Sequence, residues 1–166
     1  MTQRSNYQAH SAEGLQALGA VHTYLSGTGL SKRLLDLVYL RASQMNGCAF
    51  CIDMHSRDAR TGGESVERLS LLSVWREAGG LFTERERAAL AWTESITAIA
   101  QTHAADADYA SAAALLTEKE LSDLTLAVSV INVYNRLAIG FRRQPVSARN
   151  AERAASQSNH TTTQQE

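Results

Sequence analysis

Ten residues in the first third of the chain read Asn46-Gly47-Cys48-Ala49-Phe50-Cys51-Ile52-Asp53-Met54-His55. They contain the only two cysteines of the 166-residue protein, spaced as C-x-x-C, and a histidine follows one helical turn later. Asn46 and Gly47 both tolerate left-handed backbone angles, so they predict the end of one helix. A second helix is predicted to begin near Cys48. The stretch therefore predicts a thiol pair at the junction of two helices.

Helical periodicity continues on both sides of this junction, because apolar residues recur at spacings of three and four. Two capping-box sequences, Thr83-Glu84-Arg85-Glu86 and Thr117-Glu118-Lys119-Glu120, predict further helix starts. The predicted helices cover roughly residues 12–25, 31–44, 48–61, 65–74, 83–99, 109–116 and 117–138. The chain has one proline, and its β-branched residues are scattered among Ala and Leu. This balance predicts an all-α fold, a single-domain helical bundle.

The two ends of the chain differ from this bundle in composition. Residues 1–10 are polar and are predicted to be loose. Residues 143–166 are rich in Arg, Ser, Thr, Gln and Asn, and they bury too little apolar surface to order alone. Residues 147–156 within this tail are compatible with a detached helix. The predicted domain is therefore 1–142, with a core at about 12–140 and a polar tail at 143–166.

Charge and hydropathy narrow the range of partners. The formal net charge of −1 provides no basic field for nucleic acid. No apolar run reaches the length of a signal peptide or of a membrane-spanning helix, so we expect a cytoplasmic protein without a membrane partner. The predicted helix at 117–138 is apolar nearly all round. Such a helix needs burial on most faces, and in a chain this small the burial predicts a homo-oligomer.

The cysteine pair has the arrangement of a redox centre. A thiolate is the reactive form of cysteine, and the amides and dipole of a helix N-terminus stabilise it. Cys48 is predicted at that N-terminus with Cys51 in the first turn, so each sulfur can trap an oxidised form of the other as a disulfide. His55 lies on the same helix face and can accept and return a proton.

Core packing or zinc binding could also bring two cysteines together. Free cysteines are often core filler, but the spacing, the Asn-Gly break and His55 together favour chemistry. A zinc site would have Cys48, Cys51 and His55 as ligands, with Asp36 or Asp53 as the fourth, but structural zinc sites usually draw on two separated ligand pairs. The remaining histidines are predicted to be isolated surface or packing residues, and both tryptophans to be core residues: His10, His22, His103 and His160; Trp75 and Trp92.

The sequence resembles the AhpD-like alkylhydroperoxidases, which are grouped with the carboxymuconolactone decarboxylases. The specific match is the C-x-x-C-x-x-x-H core with Asn-Gly before it, within residues 37–55 and followed by Asp58-Ala59-Arg60. Further matches are Trp75-Arg76, Phe82-Thr83-Glu84-Arg85-Glu86, Ala91-Trp92-Thr93-Glu94 and Ile131-Asn132-Val133-Tyr134-Asn135-Arg136. The resemblance covers roughly residues 12–140.

The resemblance implies an all-α protein that assembles into dimers, trimers or hexamers. It implies reduction of hydroperoxides, or disulfide reduction, by the cysteine pair without a further cofactor, and recycling by an external dithiol of the lipoyl or thioredoxin type. It makes Cys51 the attacking thiol, Cys48 the resolving thiol and His55 the proton relay. Thioredoxin-like logic instead favours Cys48 as the nucleophile, since it lies closest to the helix dipole.

One position departs from the family pattern. The family often has a glutamate twelve residues before the first cysteine, as part of the relay, and here Asp36 stands there with a side chain one methylene shorter. The departure motivates a second hypothesis, a non-enzymatic oligomeric redox sensor or binding protein of the same fold. The lactone decarboxylases of the family generally lack the cysteine pair, so its presence argues against decarboxylation.

Overall fold

A computed structural model of the protein describes the backbone of residues 2–162 and the side chains of residues 2–157. These residues form ten α-helices and two short 3₁₀ segments and contain no strand, which confirms the predicted all-α class. The helices are α1 (Tyr7–His10), α2 (Ala12–Ser26), α3 (Lys32–Asn46), α4 (Ala49–Thr61), α5 (Val66–Leu71), α6 (Glu84–Thr97), α7 (Ile99–Thr102), α8 (Asp106–Ala113), α9 (Glu118–Gly140) and α10 (Val146–Thr162). The 3₁₀ segments are Leu72–Val74 and Gly79–Leu81.

Helix α3 is the central helix, because it is buried on two opposite faces. One face joins α2, α6, α8 and α9 in the larger apolar cluster. The other face packs Leu37 and Leu40 against the segment between α5 and α6 and against the middle of α6. Trp75 and Trp92 are 4% and 6% exposed, which confirms that both are core residues. Burial on both sides fixes the direction of α3, and therefore also the point where α3 ends and α4 begins.

The predicted helix starts are confirmed at their caps. The Thr83 hydroxyl accepts from the amide of Glu86, and the Glu86 carboxylate accepts from the amide of Thr83. The same reciprocal pair forms between Thr117 and Glu120. Two boundaries differ from the prediction, since α6 ends at residue 97 and α8 begins at residue 106. The Ser95 hydroxyl donates to the Asp108 carboxylate at 2.7 Å and draws the start of α8 toward α6, a contact that periodicity does not report.

The Asn-Gly break forms the turn that the sequence predicted. Gly47 has φ +67°, in the left-handed region. Its amide donates to the carbonyl of Gln44 at 3.2 Å, and the amide of Cys48 donates to the carbonyl of Ser43 at 3.0 Å. This pair of bonds is the Schellman arrangement, which satisfies the last carbonyls of a helix. The turn therefore ends α3 and starts α4 within two residues.

Helix α9 is buried along one face only within the chain. Leu126 and Val133, on its other side, are 38% and 39% exposed. These residues lie on the surface predicted to need a partner subunit, and the homo-oligomer stays a prediction. In the part of the chain that the structure describes, no helix is both long enough and apolar enough to cross a membrane.

The prediction that residues 1–10 are loose is wrong for their second half. Tyr7 begins α1 and is 5% exposed, because its ring stacks on Phe141 with 5.1 Å between centroids. The Arg4 guanidinium donates to the carbonyl of Gly140 at 3.1 Å. Both contacts join the N-terminus to the end of α9, more than 130 residues away, so a local pattern could not reveal them.

The C-terminal tail also corrects the sequence-based expectation. Residues 146–162 form one helix, longer than the predicted 147–156, and it is not detached. The Asp53 carboxylate on α4 accepts from the amide and the hydroxyl of Ser147, at the start of α10. Val146 packs against the apolar cluster that contains both cysteines. A carboxylate from another helix thus satisfies the first amides of α10, a role that local sequence usually fills.

We expect Gly47→Ala to destabilise the protein by about 1–2 kcal/mol, because a non-glycine residue is strained at positive φ. A β-carbon at Gly47 would meet no atom within 4 Å, so the cost is conformational and not steric. The matched control is Gly19→Ala inside α2, where a β-carbon also meets nothing and alanine favours the helix by about 0.5–1 kcal/mol. Urea unfolding at one fixed protein concentration measures both. Equal effects of the two substitutions would contradict the account of the turn.

Candidate active site

The two thiols lie at the start of α4, as the sequence predicted. Cys48 is the N-cap residue, and Cys51 lies in the first helical turn. Both are free thiols, and they are 1% and 2% exposed. They form a small apolar cluster with Phe50 of α4 and Ala138 of α9. The pair is therefore buried away from bulk solvent, between α4 and α9.

The two sulfurs share a proton unequally. The Cys51 thiol donates to the Cys48 sulfur, and this bond, with the amides of Cys51 and Phe50 and the Asn135 side chain, lowers the pKa of Cys48 to about 7 against the effect of burial. The same bond, burial and the negative charge on Cys48 raise the pKa of Cys51, which Arg143 and Asn135 only partly oppose. Around pH 7 about half of the pairs thus carry a negative charge, which lies on Cys48 while Cys51 keeps its proton.

Asn135 is a site residue that no single-residue pattern in the sequence identified. It is fully buried on α9, its amide nitrogen donates to the Ser43 hydroxyl at 3.1 Å, and its oxygen accepts from Asn46 at 2.9 Å. Its side chain also hydrogen-bonds the thiol pair and favours the thiolate. The signal available in the sequence was its place in the matching segment at 131–136. The amide therefore ties α9 to the end of α3 and to the sulfurs together.

The thiols border different pockets. Cys51 lies on the wall of a pocket of about 360 Å³ between α4 and α9, together with His55. Cys48 borders a second pocket of about 240 Å³, between the start of α4 and the segment after α9. A small molecule in the larger pocket would therefore meet Cys51 and not Cys48.

His55 is 7% exposed and lies one turn after Cys51 on the same pocket wall. Burial lowers its pKa to about 4, and the nearby charge of Asp58 opposes the shift only in part. Its Nε2 atom is buried without a hydrogen-bond partner among the described residues, and so is the hydroxyl of Tyr39. The two rings lie 5.3 Å apart, and burial raises the pKa of Tyr39 to about 12. Both groups are neutral at pH 7, and both have unused hydrogen-bonding capacity at the pocket.

Asp36 borders a further pocket of about 510 Å³, which also has His55 and Tyr39 in its lining. Its carboxylate is paired with the Lys32 ammonium at 2.6 Å, four residues earlier on α3. The structure thus places Asp36 near the predicted relay and gives it a lysine, not His55, as its hydrogen-bond partner. The Lys32 side chain is 70% exposed, so solvent screens this pair.

His22 is exposed, as the sequence predicted, but it is not isolated. Its ring lies 5.6 Å from the ring of Tyr39, and it belongs to the linings of both pockets that contain His55. The series His22, Tyr39 and His55 therefore runs from the surface to the thiol pocket. Among the described residues, no three His, Cys, Asp or Glu side chains cluster closely enough to hold a metal ion. Asp53, one candidate fourth ligand, binds Ser147 instead.

The sequence of this chain matches a known protein family over the region that contains the site. A sequence model of the carboxymuconolactone decarboxylase family matches residues 10–95, a range that contains Asp36 and the whole cysteine motif. The chain is 35% identical over 147 residues to the uncharacterized protein YdfG of Bacillus subtilis (strain 168), which corresponds to 89% of this chain and 99% of that protein.

Solved structures share the fold. A protein of unknown function from Agrobacterium tumefaciens, ATU0492, described as a candidate antioxidant defence protein AhpD, is 42% identical with a TM-score of 0.83, covering 87% of this chain and 98% of that one. An uncharacterized peroxidase-related protein with an alkylhydroperoxidase AhpD core, from Ralstonia eutropha JMP134, is 21% identical with a TM-score of 0.73, covering 84% of this chain and 74% of that one. At that identity the second likeness shows the fold alone.

We expect the two substitutions Cys51→Ala and Cys51→Ser to affect Cys48 differently. Alanine removes the largest cause of the lowered pKa, the hydrogen bond from residue 51, so the pKa of Cys48 should rise toward the ordinary thiol value of about 8.5. Serine keeps a donor and should hold the pKa closer to 7. Each variant has a single thiol, so thiolate absorbance or alkylation rate against pH reports Cys48 alone. Identical titrations of the two variants would show that the hydrogen bond does not set the pKa.

We expect His55 to make the stability of the protein depend on pH. Its pKa of about 4 in the folded protein lies below the value of about 6.5 for a free side chain, so the unfolded chain binds the proton more readily. Above pH 6.5 the ring is neutral in both states, and the shifted pKa costs no stability. As the pH falls toward 4, the unfolded chain takes up a proton that the folded protein does not, so the free energy of unfolding falls by about 3 kcal/mol in total. His55→Gln should lose less stability over that window in urea unfolding. Parallel curves for wild type and variant would contradict this assignment.

Proposed function

This chain belongs to the carboxymuconolactone decarboxylase family, and we propose that it is a thiol peroxidase that reduces hydroperoxides through Cys48 and Cys51. The proposal depends on one observation, the hydrogen-bonded thiol pair at the start of α4 with one sulfur on a pocket wall. The candidate antioxidant role of the Agrobacterium relative supports the same chemistry. The cysteine pair itself argues against the decarboxylase activity for which the family is named.

The proposed first step takes place at Cys51. Its sulfur attacks the outer oxygen of a hydroperoxide bound in the pocket that contains Cys51 and His55. The O–O bond breaks, and the sulfur gives two electrons to the peroxide. The product is a sulfenic acid on Cys51 and an alcohol, whose oxygen takes up one proton from water. The Cys48 thiolate is the nearest base for the proton of Cys51. The position of Cys51 on the pocket wall supports this order, although Cys48 has the lower pKa.

We propose that His55 relays a proton and does not hold one at rest. A pKa of about 4 leaves its ring neutral at pH 7, and a neutral imidazole offers one donor and one acceptor. Its unpartnered Nε2 and the unpartnered hydroxyl of Tyr39 are available to water or substrate in the pocket. Asp36 would enter the relay through water, because its direct partner is Lys32. This role of Asp36 stays a prediction.

The proposed cycle then closes through a disulfide. Cys48 attacks the sulfur of the Cys51 sulfenic acid, an S–S bond forms, the S–O bond breaks, and one water leaves. An external dithiol of the lipoyl or thioredoxin type supplies two electrons and two protons and restores both thiols. No cofactor beyond the cysteine pair takes part in this proposal.

The test is peroxide consumption with a dithiol donor by wild type, Cys48→Ser, Cys51→Ser and the double variant. We expect each single variant to lose about a hundredfold or more and the double variant to lose no more than the singles, because the two thiols act as one unit. Dimedone should label a sulfenic acid at Cys51 in the Cys48→Ser variant. Wild-type turnover in both single variants would end the peroxidase proposal. A label on Cys48 in the Cys51→Ser variant, with none on Cys51 in the Cys48→Ser variant, would reverse the order.

A redox sensor is the second candidate function, and the pairing of Asp36 with Lys32 is the observation that favours it. A carboxylate held away from His55 weakens the relay that repeated turnover needs. Under this alternative, peroxide would form one disulfide per chain, and consumption would stop there even with donor present. Consumption of many equivalents per chain excludes it.

A further inference from the structure

The pocket that contains Cys51 is larger than a small peroxide needs. A cavity of about 150 Å³ accommodates benzene, whereas this pocket measures about 360 Å³. Its walls are mostly aromatic and aliphatic: Tyr7, Tyr39, Phe50, Met54, Val130, Ile131, Tyr134 and Ala138. Apolar walls of this extent fit an organic group of about ten or more heavy atoms better than water or hydrogen peroxide.

One cation projects into this apolar lining. Arg143 follows α9, and its guanidinium lies over the ring of Phe50, 3.8 Å from the centroid. The same group donates to the Tyr7 hydroxyl at 3.3 Å. These two contacts hold the guanidinium between α1 and α4. Arg143 is half-buried and Cys51 is 2% exposed, so the cation lies nearer the mouth of the pocket than the sulfur does.

Arg143 has no carboxylate partner among the residues that the structure describes. Every ion pair there joins other residues, and the only carboxylate in the lining of this pocket, Asp58, is exposed. The aromatic contact and the neutral hydroxyl occupy one face and one corner of the guanidinium. Its other N–H groups can still form a two-pronged bond to a carboxylate.

We propose that the pocket takes carboxylate-bearing organic hydroperoxides, with the carboxylate bound by Arg143 at the mouth and the hydroperoxide group at Cys51. The choice of a hydroperoxide as the reacting group rests on the proposed function. The choice of a carboxylate rests only on Arg143 and the lining of the pocket. Apolar walls bind the carbon skeleton, and the single cation at the mouth sets its direction. The reaction is the one given above, a hydroperoxide reduced to an alcohol with oxidation of Cys51.

The binding test uses two probes that differ only in charge, 4-isopropylbenzoate and 4-isopropylbenzyl alcohol, measured by calorimetry on the reduced protein. We expect the benzoate to bind about tenfold more tightly. Arg143→Gln should remove that advantage without weakening the alcohol, and Arg143→Lys should restore part of it. The matched control is Arg142→Gln, which removes the same charge one residue away from a side chain outside the lining of this pocket.

Three outcomes overturn the inference: equal binding of both probes to wild type, an equal loss of benzoate binding in Arg143→Gln and Arg142→Gln, or a loss of both probes alike in Arg143→Gln. The kinetic arm compares kcat/KM for cumene hydroperoxide and its 4-carboxy derivative. A preference for the carboxylated peroxide that Arg143→Gln removes supports the inference, and turnover without preference overturns it while the peroxidase proposal stands. Charge-selective binding without turnover of either peroxide supports the carboxylate pocket and overturns the peroxidase.

Discussion

The candidate site depends on a fully buried amide, the side chain of Asn135. A buried amide without partners costs several kcal/mol, so α9 is restricted to the register in which Asn135 meets Ser43 and Asn46. Asn46 is the last residue of α3, and the left-handed Gly47 follows it. The same hydrogen bonds that align α9 therefore fix where α4 begins, and with it where both sulfurs lie.

Burial and hydrogen bonding together set the charge states of the groups around the thiols. Desolvation disfavours any charged form, so it raises the pKa of Tyr39 and lowers that of His55. At Cys51 the hydrogen bond to Cys48 raises the pKa most, and desolvation adds to it. Cys48 is the exception, because a thiol donor, helix-start amides and Asn135 together outweigh its burial. The result is a partly ionised Cys48 beside a protonated Cys51, a neutral His55 and a neutral Tyr39. Arg143 is the cation whose charge favours ionisation of Cys51, so positive and negative charge both lie close to the position proposed for the peroxide.

The sequence predicts those features of this protein that depend on near neighbours. Both capping boxes, the Gly47 turn and the C-x-x-C-x-x-x-H face are local, and the structure contains each of them. The partners of the motif are not local. Asn46 meets Asn135 across 89 residues, and no spacing rule connects two such positions. His22 and Tyr39 are similar, since their rings meet between two different helices, α2 and α3. Thus the position of the two sulfurs at a helix start was predictable, whereas their surroundings required the fold.

The chain ends show how a polar segment can be ordered by a site and not by its own composition. Residues 1–10 and 143–166 lack the apolar surface to fold alone. Even so, Tyr7 is buried against Phe141 and Arg143, and the Asp53 carboxylate of α4 accepts from the amide of Ser147 in the first turn of α10. These contacts join the chain ends to α4, which carries both thiols, to the end of α9 and to each other. The ends therefore close the pocket around Cys51 and place Arg143 there, so that the least patterned parts of the sequence set the charge at its mouth.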